Sequence, residues 1–459
     1  MSHSVSILRE AKVMSRLELC ESANQFIRDV LPEGDFRKVF LKPNWVFHSQ
    51  NPSFPSEALV TSPAVILAVV RACFNNYSNI ERVIVGDVPL QSCDFSLMCK
   101  QSGTDQLIAL CAKEFGSRVQ FLDLRREVFR LANGFLQRDL HVQGDPSGYS
   151  EVILDQASQL EEVSHKANRF RVSDYDPEDT TSAHKPGEHR YLICRSILES
   201  DLIINLPKMK THQKTGITGA LKNLVGINGS KAYLVHHQVG RPSQGGDEFP
   251  EDIPKSILIQ VRMREFLQKS SPLLFRMAKW GWEGLKWVRG IKTEATRENM
   301  AKGGIYMGSG SWYGNDSIWR MVYDLNLALV FAKSEGGRLA PEPQRQVVSI
   351  LDGIISGEGN GPLQPLPVRT GVLVASRNPF LVDFAMAKLM GFDWQKIALL
   401  ANYHRFPNPC FSSFDPLHFF VEMDGALHHK GIDSIPVHKC FLPPPGWNGH
   451  IELDRAQTI

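Results

Sequence analysis

Leu202-Ile203-Ile204-Asn205 runs into Leu206-Pro207-Lys208-Met209-Lys210-Thr211-His212, and Thr215-Gly216-Ile217-Thr218-Gly219-Ala220-Leu221-Lys222-Asn223-Leu224-Val225-Gly226 comes shortly after. The first run is apolar and rich in β-branched residues, and it ends on a polar side chain, as strands buried in a parallel sheet do. The remainder of the stretch reads as a strand-to-helix junction. Five more runs share the strand pattern: Lys38 to Leu41, Arg82 to Val85, Val119 to Leu122, Val347 to Leu351 and Gly371 to Val374. Helical patterns fall between them, as over Pro63 to Phe74 and Asp105 to Phe115. Strands alternating with helices predict an α/β fold, with a largely parallel or mixed sheet flanked by helices.

Polar residues stand just beyond the strands: Lys42-Pro43-Asn44, Gly86-Asp87, Pro207-Lys208 and Asp352-Gly353. In open α/β sheets the ligand crevice lies beyond the carboxyl ends of the strands. Four strands therefore deliver polar groups to the edge where a site belongs. The predicted organisation is a first core part over 1–254 with a polar, turn-rich surface excursion at 144–190. A helical basic insertion over 255–310 comes next, then a second core part with a C-terminal tail over 311–459.

The chain has 459 residues, with 51 Lys and Arg against 49 Asp and Glu, a formal net charge of +2. That balance argues against a protein basic over its whole surface, so no nucleic-acid partner is expected. No apolar run approaches the roughly 18 residues that cross a bilayer, and the first residues lack a signal peptide's apolar segment. The expectation is a cytoplasmic protein. Eight cysteines are scattered without any C-x-x-C pair, so there is no local iron–sulfur or zinc motif.

The average hides a local imbalance. From Leu202 to Gly246 there is no carboxylate, while Lys208, Lys210, Lys214, Lys222, Lys231 and Arg241 all fall there. Crowded lysines repel unless an anion or distant acids neutralise them, and a helix N-terminus adds free N–H groups. The stretch suits a phosphate or carboxylate ligand, with Lys42, Asn44, Lys208, Thr218, Lys222, Asn223 and Asn360 as candidate binding residues. Thr218 and Lys222, four apart, share a face if the segment is helical. His212, Lys210 and Asp352 are candidate catalytic groups, since a lysine desolvated among cations loses its proton more readily. Asp87, Glu358 and Asp383 lie at or beyond strand ends, with Glu358 in the predicted glycine-rich loop Gly357 to Pro362. Acids so placed can balance the lysines, bind a divalent metal or act in acid–base steps. All three roles stay open.

A second basic segment, Ser256 to Lys292, reads as helical, with Trp280, Trp282 and Trp287 among its charges. It is either a docked helical pair or an element for peripheral membrane contact.

The Lys42-Pro43-Asn44 strand end, the Asn205 to Gly226 segment, the Asp352 to Pro362 loop and the Pro379 to Gly391 stretch resemble the family catalogued as domain of unknown function 362. So does Asn315-Asp316-x-x-Trp319-Arg320-x-x-x-Asp324-x-Asn326. The resembling blocks span about 38 to 395. The resemblance implies no settled chemistry. Some members resemble ferredoxins in an added cysteine-rich module, which this chain lacks, so that cofactor is not carried over.

Three functions are expected, in descending order. The first is an enzyme acting on a small anionic substrate. The second is a redox protein with a bound cofactor, although no G-x-G-x-x-G fingerprint supports it. The third is a membrane-surface or scaffolding protein acting through 256–292.

Overall fold

The computed structural model describes residues 3–132, 135–139, 142–172, 175–253, 258–259 and 309–454. The basic segment predicted over 256–292 thus lies almost wholly outside the described residues.

Among the described residues the main sheet has eleven strands, one of them the two-residue Gly216–Ile217 and the others β1 (Ser4–Leu8), β2 (Lys38–Pro43), β3 (Arg82–Asp87), β4 (Val119–Asp123), β5 (Leu202–Leu206), β6 (Lys208–His212), β7 (Gln346–Asn360), β8 (Gln364–Ser376), β9 (Phe420–Met423) and β10 (Ala426–His428). The order is β10-β9-β1-β8-β7-β5-β2-β3-β4, and β6 adds to β7 and to a short strand, Gly216–Ile217. From β7 through β5, β2 and β3 to β4 the pairing is parallel. The β7–β8 hairpin and the β8–β1 pair are antiparallel. The fold is therefore mixed α/β, with strands from before residue 254 and after residue 311 in one sheet.

Side-chain alternation sends neighbouring residues to opposite faces. Phe40, Ile84 and Ile203 join one apolar layer, while Leu41, Val85 and Ile204 join the other. Helix α1 (Pro63–Asn76) belongs to the second layer. Helices α3 (Ile318–Phe331) and α4 (Pro379–Leu389) belong to the first. Between α1 and α3 in sequence, α2 (Gly219–Asn223) is the short helix predicted after β6.

Pro207 separates β5 from β6 because it has no N–H to give the ladder. Its carbonyl still accepts from Asp352 N at 2.9 Å. Both strands lie along β7: β5 pairs with Gln346 to Ser349, and β6 pairs Lys208 with Asp352 and Lys210 with Gly357. This long strand corrects one expectation. Residues 357 to 360 are not a loop but the end of a hairpin arm, in register with Gln364 to Pro367. Gly357 is needed there because a Cβ would come within 3.0 Å of both the Ala58 carbonyl and the Lys210 Cβ.

The segment 144–190 also differs from the surface excursion expected. Tyr149–Leu154 and Glu188–Cys194 pair antiparallel in a second sheet. Every other residue of the first strand is buried, and Val152 and Leu154 join the core that holds Tyr191 and Trp319. Polar composition concealed a period-two strand. Leu154→Ala is expected to cost about 2–5 kcal/mol, as at a packed core site. A urea unfolding curve reads this; a loss under about 0.5 kcal/mol, typical of a surface position, would restore the excursion reading.

Candidate functional site

Two buried ion pairs close the carboxyl ends of the parallel strands. Lys42, at the end of β2, places Nζ 2.8 Å from Asp87 Oδ1 at the end of β3. The same Nζ donates to Pro43 O at 2.7 Å. Asp87 also accepts from Trp45 N and Val88 N, each at 2.7 Å. Gly226 packs onto this pair so tightly that a Cβ would lie 2.1 Å from Asp87 Oδ1. Lys208 and Asp352 are cross-strand neighbours, and their ion pair spans 2.8 Å with both side chains buried. Asp352 accepts further from Ser62 N at 2.8 Å and Ile354 N at 3.2 Å. Each carboxylate is thus committed to one lysine and two backbone donors. Asp352, predicted as catalytic, and Asp87, predicted as a metal ligand, are placed as counter-ions to Lys208 and Lys42. A buried carboxylate needs such partners.

Lys210, Lys231 and Lys222 form no ion pair among the described residues. Lys210 is 0 % exposed, and its Nζ donates to the Leu59 carbonyl at 2.6 Å. Burial first, then Lys208, holds its pKa well below the ordinary lysine value, with Lys222 and Lys42 adding to the effect against Asp87. Lys231 donates to Val88 O at 2.8 Å. Burial pushes it down to about 8, Lys42 adding and Asp87 opposing. Lys222 is 8 % exposed. Burial pushes it down to about 7, and the charges acting on it, those of Lys231, Lys214 and Lys42, are all positive.

Two histidines stand among these cations. His212 Nδ1 accepts from Lys214 N at 3.1 Å, which leaves the ring proton on Nε2. His236 Nδ1 donates to Leu234 O at 2.6 Å, which leaves Nε2 without a proton. Both rings are held well below the usual histidine value by burial, reinforced by Lys222 and Lys214.

A chain of amides fixes α2 to the strand ends. Asn44 Nδ2 donates to Asn223 Oδ1 at 2.8 Å. Asn223 Nδ2 donates to Asn205 Oδ1 at 2.8 Å and to Lys42 O at 3.1 Å. Asn205 Nδ2 reaches Ala220 O at 2.9 Å. Three buried polar atoms nearby in the chain lack a partner: Asn44 Oδ1, Trp45 Nε1 and the Thr218 hydroxyl. Leaving such an atom unsatisfied costs about 1–3 kcal/mol, which a bound ligand with matching groups relieves.

The N–H groups of α2 were expected to face the anion. They are already taken. Asp383, inside α4, accepts from Ala220 N and, at 3.0 Å, from Leu221 N. Burial pushes the Asp383 carboxyl up to about 7. Gly219 lies at φ +54°, and a Cβ there would lie 2.2 Å from the Asp383 carboxylate. Asp383, predicted as a metal ligand, caps the start of α2 with both carboxylate oxygens. Glu358 accepts from Leu442 N at 2.9 Å, and no group of three His, Cys, Asp or Glu gathers around a metal position among the described residues. Asn360 also stands apart at the hairpin end, bonded to Gln213 and Gln364.

The Asn315 to Asn326 motif positions rather than reacts. Asn315 Nδ2 donates to the His236 carbonyl at 2.9 Å, and Asn326 Nδ2 to that of Leu221 at 3.0 Å. Asp324, pushed up to about 7 by burial, accepts from Ser158 and from the Tyr191 hydroxyl at 2.8 Å. The structure thus gathers Lys42, Lys208, Lys210, His212, Thr218, Lys222, Asn223 and Asn44. It adds Lys231, His236, Asn205 and Trp45. A lone amide inside the apolar run Leu202 to Leu206 signalled Asn205, and Lys231 already stood in the acid-free stretch.

Fold and site define a mixed α/β protein with a buried, acid-poor lysine cluster at its strand ends. The chain belongs to the family described as Domain of unknown function (DUF362), whose model matches residues 145–388, more than half of its length. Over 58 residues it is 40% identical to a thylakoid-associated protein of Synechocystis sp., covering 13% of this chain and 18% of that protein, so it spans under a fifth of that relative's length. A crystal structure of a Thermotoga maritima protein aligns with 76% of this chain and 52% of its own, at 11% identity and a TM-score of 0.32.

The cluster fixes the sign of a pH effect. Unfolded lysines hold their protons up to about 10.5, whereas Lys222 and Lys231 release theirs near 7 and 8 when folded. Above pH 7 the unfolded chain therefore binds more protons, and stability rises with pH at up to about 1.4 kcal/mol per unit for each lysine. Urea midpoints are expected to climb from about pH 7.5 to 8, above the range where folded Asp324 and Asp383 near 7 oppose the trend and below that where unfolded thiols near 8.5 reverse it. A flat or falling midpoint contradicts the neutral lysines.

Proposed function

We propose that the protein is an enzyme acting on a small anionic substrate, phosphorylated or carboxylated, held at the strand ends by Lys222 and Lys231. One observation carries this reading: Lys222 is buried with cations around it and no carboxylate beside it. Such a site is costly when empty and is relieved by an external anion. Lys42 and Lys208 keep the surroundings cationic while tied to their own acids. Asn44 Oδ1 and the Thr218 hydroxyl offer an acceptor and a donor to the uncharged part of the substrate. Lys210, whose pKa burial and Lys208 lower, is suited to a general base, and His212, with its proton on Nε2, is suited to donate one. The substrate charge favours protonation within the lysine cluster, so ligand binding and lysine protonation are linked.

Inorganic phosphate and malonate serve as probes in a thermal-shift series, with chloride at matched ionic strength as control. The unfolding temperature of the full chain is expected to rise by about 2–4 °C with at least one of them. Lys222→Met and Lys231→Met should lose most of that rise. No rise in the wild type, or equal rises in all three proteins, contradicts the reading.

A further inference from the structure

The lysines of the cluster are not equivalent in what their nitrogens do. Lys42 and Lys208 are tied to Asp87 and Asp352. Lys210, Lys231 and Lys214 spend a hydrogen on the carbonyls of Leu59, Val88 and Ser309. The Lys222 amine makes no hydrogen bond and no ion pair among the described residues, and the residue keeps 8 % exposure. Its helix is pinned at one end by Asp383 and at the other by the Asn223 amides. Its Cα is therefore fixed, and the amine is presented from a rigid base. The Thr218 hydroxyl stands four residues earlier, buried and without a partner.

An amine that only attracts an anion would be better charged, and arginine would serve it. Here the neighbours that act on Lys222 are cations, and they favour its uncharged form. An uncharged amine with a free lone pair is a nucleophile.

We propose that Lys222 forms an imine with an aldehyde or ketone that also carries a phosphate or carboxylate group. This rests on the anion-site reading above and names the substrate class for it. The Nζ lone pair attacks the carbonyl carbon; the C–N bond forms as the carbonyl π pair moves to oxygen. The Thr218 hydroxyl donates a hydrogen bond to that oxygen. Both amine hydrogens then leave with the oxygen as water, giving a neutral C=N bond, and no oxidant or reductant is consumed. The lysines left charged hold the anionic arm.

Pyridoxal phosphate and glyoxylate each join an aldehyde to an anion and serve as probes on the full chain at pH 7.5. Borohydride traps the imine, and peptide mass mapping locates it. Lys222 is expected to be labelled on the order of a hundredfold faster than solvent-exposed lysines, from its larger neutral fraction. Inorganic phosphate should protect it. Lys222→Arg should lose that label yet keep the thermal shift with phosphate, because the charge remains. If phosphate stabilises the wild type but neither aldehyde labels Lys222, the imine proposal fails and the anion site stands. If phosphate neither stabilises nor protects, the anion site fails, and the imine proposal with it.

Discussion

Taking an ammonium group out of water costs several kcal/mol unless an acid or a set of acceptors replaces the water. This chain buries Lys42, Lys208, Lys210, Lys222 and Lys231 at one edge of a sheet, and gives two of them carboxylates. Much else in the fold depends on that constraint. The β2 and β3 ends meet so that Lys42 reaches Asp87, and Gly226 has no side chain because that pair leaves no room for one. Pro207 breaks β5 from β6 without changing the register along β7, so Lys208 stands opposite Asp352 and the register shifts only between Lys208 and Lys210.

The same constraint explains why so many buried amides cluster there. Asn44, Asn205 and Asn223 form a chain that ties α2 to the strand ends without adding charge. Asp383 does bring a carboxylate close, but it is spent on the backbone N–H groups of α2 and cannot also serve Lys222. From the far side, α3 supplies Asn326, which holds the Leu221 carbonyl, and the turn before it supplies Asn315, which holds that of His236. The protein thus builds a rigid frame around lysines it leaves uncompensated. A frame of that kind is useful where charge must be supplied from outside.

The parallel half of the sheet was legible in the sequence because each strand is a short apolar run ending on a charged or polar residue. Lys38 to Leu41, Arg82 to Val85 and Leu202 to Asn205 all become strands. The strand at Tyr149–Leu154 was not, since Ser150 is buried while Ile153 is only partly so, and polarity does not follow the period-two burial. Gly357 to Asn360 looked like a loop because glycine is favoured in turns; here it admits the neighbouring chain instead. For the site, the acid-free stretch located the lysines, which is a one-dimensional property. It could not show that Asp87 and Asp352 were already paired, or that Asp383 fills the helix end from 163 residues away. Those are long-range contacts, set by strand order and register.

The central claim is that some of these lysines are uncharged until an anion arrives. Direct titration of the lysine side chains by carbon-13 NMR, with each signal assigned by substitution, tests it most plainly. The account predicts that Lys222 titrates near pH 7, at least two units below 10.5, and that saturating phosphate moves the midpoint upward. A Lys222 signal titrating near 10.5, or one that phosphate leaves in place, would contradict it.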